Sequence, residues 1–94
     1  MKKVFSISKV ESLGGGRWRF QGRAYDDVHL GDRLVVEGPV GGRTGIPLRV
    51  IEVSSYQKQT TELSRMMTGD LVVQADHDVS LESVVTLGKE GASD

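Results

Sequence analysis

No cysteine occurs among the 94 residues. That removes disulfides, thiolate metal ligands and thiol nucleophiles together, and it leaves the hydrophobic core of a small domain to hold itself. The same absence fits a reducing compartment, and the expected location is cytoplasmic. Histidine is scarce too. A Ser-His-Asp arrangement would have to use His29 or His77, and neither stands in a nucleophile-elbow pattern. Long apolar runs are missing: nothing approaches the roughly 18 residues of a membrane-crossing helix, so no membrane partner is expected. Met1-Lys2-Lys3-Val4 starts like a secretory n-region. Phe5-Ser6-Ile7-Ser8-Lys9 then alternates and meets a charge before an apolar h-region forms, so a soluble chain with no export signal is expected.

What is present in quantity is charge and glycine. The net charge of -1 conceals a polarity along the chain: residues 1–50 hold nine Lys/Arg against five Asp/Glu, and residues 51–94 hold three against eight, giving +4 and -5. Interleaved strands would mix these poles over the surface; segregated ones would give a basic face, or head-to-tail attraction between copies. The twelve glycines punctuate short apolar stretches. Two Gly-Asp pairs, Gly31-Asp32 and Gly69-Asp70, are each read as a turn that feeds an apolar run, Leu34-Val35-Val36 and Leu71-Val72-Val73.

Periodicity predicts strands. Val4 to Val10 alternates, with Phe5 and Ile7 on one face, and Gly14-Gly15-Gly16 ends the stretch. Arg17 to Ala24 alternates without a break, with Trp18, Phe20, Gly22 and Ala24 on one face and Arg17, Arg19, Gln21 and Arg23 on the other. Further strands are expected at Arg33–Glu37, Leu48–Ser54 with an extension toward Lys58, Leu71–Ala75 and Leu81–Leu87. Leu63, Met66 and Met67 stand at i, i+3 and i+4, which predicts at most one short helical turn near residues 61–67, capped by Thr60 or Thr61. The expected fold is all-β: a small closed Greek-key β-barrel of six or seven antiparallel strands over residues 1–87, followed by a disordered tail at 88–94.

Six short stretches stand in the order Phe5-Ser6-Ile7, Gly15-Gly16-Arg17, Gly22-Arg23-Ala24, Leu30-Gly31-Asp32, Arg49-Val50-Ile51 and Thr68-Gly69-Asp70-Leu71-Val72. In this order the chain resembles the second domain of the translational GTPases, the β-barrel of elongation factor Tu and its relatives. The resemblance covers about residues 4–87 and rests on turn glycines and core apolars. It implies the barrel fold, and a module that in the family supports a nucleotide-binding domain and touches tRNA or ribosomal RNA. The nucleotide loop itself is absent here. Gly41-Gly42-Arg43-Thr44-Gly45 lacks the lysine and the strand-to-helix setting of a phosphate loop, and is read as a hairpin connection.

The expected function is therefore a non-enzymatic binding or assembly module with no cofactor and no metal. Its partner is a protein or a second copy, with an RNA- or ribosome-binding accessory role as the alternative. The candidate RNA-binding residues are Arg17, Arg19 and Arg23, whose guanidinium groups neutralise phosphates and stack on bases. Against them, alternation sends Trp18 and Phe20 to the opposite face, and a solvated arginine face partly paired with Asp26, Asp27 or the acidic half is the simpler reading. The candidate protein-interaction residues are Tyr56, Leu63, Met66 and Met67, an apolar cluster whose thioethers suit irregular partners, or else a plug for one barrel end. Asp76-His77-Asp78 is the one metal or acid-base candidate, and a solvated turn is the simpler reading. His29 is likewise read as a turn residue.

Overall fold

In the computed structural model, residues 2–40, 42, 45–56, 58–76 and 80–89 are described. Among these described residues nine strands follow in chain order: β1 (Lys2–Gly14), β2 (Arg17–Ala24), β3 (Val28–His29), β4 (Arg33–Val36), β5 (Pro47–Ser55), β6 (Lys58–Thr60), β7 (Glu62–Leu63), β8 (Thr68–Ala75) and β9 (Thr86–Lys89). Seven of them make one antiparallel sheet in the order β4-β9-β1-β2-β8-β5-β6. Because β4 also pairs with β5, through Arg33–Arg49, Leu34–Leu48 and Val35–Pro47, six strands join into a ring and β6 hangs from the far half of β5. β3 and β7 form a separate two-stranded sheet. Among the described residues no helix is long and apolar enough to cross a membrane.

β2 shows why these residues make strands. Its inward side chains Trp18, Phe20 and Ala24 are buried while Arg17, Gln21 and Arg23 are exposed, so one face enters the core and the other meets water. Phe5, Phe20, Leu34, Leu48, Leu71 and Leu87, one from each ring strand, are fully buried inside the ring. Each such side chain contributes about 1.5–3 kcal/mol by leaving water.

Gly22 and Gly69 lie opposite each other in the β2–β8 register. A bulge between Ile7 and Lys9 presses β1 onto β2, so that a Cβ on Gly22 would overlap the Ser6 carbonyl oxygen. A Cβ on Gly69 would stand 2.5 Å from the Ser54 carbonyl oxygen and 2.8 Å from Leu63 Cδ1. Gly69-Asp70 is therefore not a turn but part of β8, chosen for close approach. Gly31-Asp32 does turn the chain, with Gly31 at φ 91°.

Three other expectations are corrected. The helical turn at residues 61–67 does not form: Met66 has φ 72°, a left-handed conformation that no α-helix contains. Leu63 belongs instead to β7, opposite Val28, and a turn closed by Met67 N donating to Ser64 O carries the chain back to Ala24. So short a segment gains too little from local hydrogen bonds to hold a helix against these tertiary ones. The extension of β5 toward Lys58 is broken by Tyr56, at φ 53°, and β6 returns antiparallel to β5. The last strand begins at Thr86 rather than Leu81, since Val84 N turns back to Leu81 O, and it runs through Gly88 and Lys89, residues expected in the tail. Residues 90–94 of that tail lie outside the described residues.

Candidate functional site

Strand register decides which of the outward side chains become neighbours. Arg17 of β2 lies opposite Gln74 of β8, Gln74 opposite Arg49 of β5, and Arg49 opposite Arg33 of β4. Three exposed arginines and one glutamine thus form a single row across four strands of the outer face. Gln74 organises one end: its Oε1 accepts from Arg17 Nε at 3.3 Å, and its Nε2 donates to Gly15 O at 3.0 Å and Ala75 O at 3.2 Å, in and beside the hairpin turn. Arg33 and Arg49 are like charges set directly opposite each other, an arrangement that weakens a sheet. Among the described residues no carboxylate forms an ion pair with Arg17, Arg33 or Arg49.

The next row is different. Arg19 is half-buried and its Nη1 lies 3.2 Å from Glu11 Oε1, so its charge is already answered. Arg19 and Glu52 both flank Val72, which is only 5% exposed although it points away from the core cluster. Of the three arginines singled out in β2, Arg17 belongs to the row, Arg19 is neutralised, and Arg23 lies apart, in register with Ser6 and Thr68.

Arg23 lines an open groove of about 400 Å³ with Ser6, Gln21, Tyr25 and Thr68. A second groove of about 330 Å³ shares Gln21 and Thr68 and continues over Ser54 and Asp70 to Tyr56. Two tyrosines therefore flank the outer face. Tyr25 is 38% exposed with Lys3 Nζ 4.6 Å over its ring, and Tyr56 is 80% exposed. Both tyrosines stand at the Arg23 end of this face, eight residues along the chain from Arg17 and seven from Arg49.

The apolar patch expected at Tyr56, Leu63, Met66 and Met67 is not a surface. Leu63 is fully buried and Met67 packs on the core, while Met66 at 55% and Tyr56 remain outside. Asp26 and Asp27 do not answer the arginines either. Asp26 Oδ2 is 2.8 Å from Lys2 Nζ, and Asp27 Oδ1 accepts from Arg65 N at 2.8 Å. His29 Nε2 is 2.6 Å from Glu62 Oε1, and its backbone N–H donates to Asp32 Oδ2 at 2.8 Å across the Leu30-Gly31 turn. Of Asp76-His77-Asp78, Asp76 is exposed, and His77 and Asp78 lie outside the described residues, as do Gly41, Arg43 and Thr44 of the glycine-rich loop. Among the described residues no group of three His, Asp or Glu side chains converges to hold a metal.

The hydrogen bond from Lys2, reinforced by the Asp27 N–H, holds the Asp26 carboxyl below the usual aspartate range. A carboxyl with a lowered folded-state pKa stabilises the fold above its unfolded value, and that contribution fades as the pH falls through the folded value. Asp26→Asn should therefore melt below wild type at neutral pH. The gap in Tm should close as the pH drops beneath about 4, which a series of melts in citrate and phosphate buffers would read.

Arg33, Arg49, Gln74, Tyr25 and the β4–β5 seam were not singled out from the sequence. The outward alternation of Arg33 before Leu34 and of Arg49 between Leu48 and Val50 was available; the register that unites them was not. Set against known proteins, the chain matches no family model and no curated protein.

Proposed function

We propose that this chain is a non-enzymatic binding or assembly module, a closed Greek-key barrel of the translation-factor second-domain type, and that its outer sheet face holds the phosphate backbone of RNA. The six-strand ring supports the barrel reading. The observation that carries the ligand is the row Arg17–Gln74–Arg49–Arg33. Arginines one or two strand spacings apart, roughly 5–10 Å, suit a line of phosphates better than a single small anion. A polyanion laid along the row would relieve the Arg33–Arg49 repulsion that the free protein tolerates. Tyr25 and Tyr56, at the Arg23 end of the same face, offer rings on which unpaired bases of a strand running on from the row would stack, which favours single-stranded over duplex RNA.

Fluorescence anisotropy of a labelled single-stranded RNA tests this. With three phosphates neutralised, the logarithm of affinity should fall with the logarithm of salt at a slope of about -2. Arg17→Ala/Arg33→Ala/Arg49→Ala should abolish both binding and slope, whereas Arg19→Ala, whose charge Glu11 already holds, should change affinity less than about threefold, within the 0–1 kcal/mol of an exposed pair. Absence of binding at low salt, or equal binding by the triple variant, would remove the RNA reading.

A further inference from the structure

We propose that the chain forms a two-fold dimer in which the free edge of β1 pairs with the same edge of a second copy. β1 is longer than the strand beside it: β9 pairs only with Lys2, Lys3, Phe5 and Ser6, and then Ile7 N donates to Val85 O at 2.8 Å. From Ser8 to Leu13 that edge has no strand beside it among the described residues, while the opposite edge stays paired with β2 as far as Gly14. The chain before β9 turns away through Val84 and leaves a groove of about 390 Å³ between residues 7–12 of β1 and Glu82, Val84 and Val85. An unpaired edge of this kind is a template for another strand. Two exposed apolar side chains mark its ends, Leu13 at 40% and Val85 at 65% exposure.

The edge itself specifies the occupant. Ile7-Ser8-Lys9-Val10-Glu11-Ser12-Leu13 reads alike in both directions by chemistry: apolar, hydroxyl, charge, apolar, opposite charge, hydroxyl, apolar. Antiparallel pairing about a two-fold axis at Val10 sets Lys9 of each copy opposite Glu11 of the other, within the regular stretch of β1 that follows the Ile7–Lys9 bulge. Every such contact occurs twice, as an isologous interface requires. Slipping the register by two residues would set Lys9 against Lys9 or Glu11 against Glu11. Slipping it by one would turn outward side chains toward inward ones. One register is therefore favoured on charge and on facing together. In that register Lys9 of the second copy reaches Glu11 from the side away from Arg19, which lies 3.2 Å from the same carboxylate. The shared edge is short and its area falls under the roughly 1,200 Å² of a stable interface, so the dimer is weak and concentration-dependent.

This inference takes up the assembly half of the function proposed above but uses a surface apart from the arginine row, so either can fail without the other. Sedimentation equilibrium of the full chain over a wide concentration range tests it. Wild type should rise from the mass of one chain, 10.2 kDa, toward twice that value. Lys9→Glu and Glu11→Lys, each alone, place like charges together at both symmetry-related contacts and should stay monomeric where wild type is dimeric. An equimolar mixture of the two, and the double variant Lys9→Glu/Glu11→Lys, restore opposite charges at every contact and should regain the dimer. A wild type that stays monomeric throughout, a dimer untouched by either single variant, or a mixture that fails to recover would each overturn the proposal.

Discussion

Replacing Gly22 with alanine should cost about 3 kcal/mol, the upper part of the range for forcing extra atoms into packed space. One methyl group is being asked to share the place of the Ser6 carbonyl oxygen. That oxygen belongs to backbone fixed on one side by the pairing of Phe5 and Ser6 with β9 and on the other by the Ile7–Lys9 bulge, so it cannot swing aside as a side chain would. A domain of this length has about 5–14 kcal/mol of stability in all. The loss would appear in urea as a lower midpoint with an unchanged slope, because the native surface stays the same. Gly31→Ala is the informative comparison. Nothing lies within 4 Å of a Cβ there, and the cost comes only from φ 91°, about 1–2 kcal/mol. Equal losses at the two sites would show that β1 does not press on β2 as described.

Phe20→Ala is expected to lose about 3–5 kcal/mol, combining lost burial with the void left in the ring. For a domain of this size each kcal/mol is worth about 4–8 °C in Tm, so the drop should exceed about 12 °C. Its neighbour provides the control within one strand. Arg19→Ala removes a longer side chain, but one that is half outside and engaged in a single surface ion pair, and it should cost no more than about 1 kcal/mol. Thermal melts of the two variants side by side test whether alternation along β2 sorts core from surface. Comparable losses would mean that it does not.

That alternation is the part of the molecule most legible in the sequence. Arg17 to Ala24 has one apolar and one polar residue per strand repeat, and the buried face follows it residue by residue. The segment at 61–67 misled because three apolar residues at helical spacing fit a turn as well as a helix. What separates the two is the pairing of Leu63 with Val28, more than thirty positions away. Gly69-Asp70 misled for a related reason. Glycine signals either a turn or a close approach, and only the position of Ser54 and Leu63 distinguishes them. The candidate site was half legible: Arg17 was found in its own strand, but Arg33 and Arg49 join it only through the registers β2–β8, β8–β5 and β5–β4. Register is a property of pairs of strands, and a one-dimensional pattern does not contain it.

The seam at β4 has a consequence for how the protein comes to be folded. Among the described residues this four-residue strand closes the ring between β9 and β5, and β9 is the last strand described while its other neighbour, β1, is the first. The β1–β2 hairpin and the β5–β8 pair join segments closer in sequence, whereas β1 and β4 remain two loose sheet margins until β9 docks between them. That docking joins segments about eighty residues apart, and pairing between such distant segments slows folding relative to a fold of local contacts. Without β9 in place, Val35 and Val36 of β4 and the first half of β1 are open edges with which another extended chain can pair.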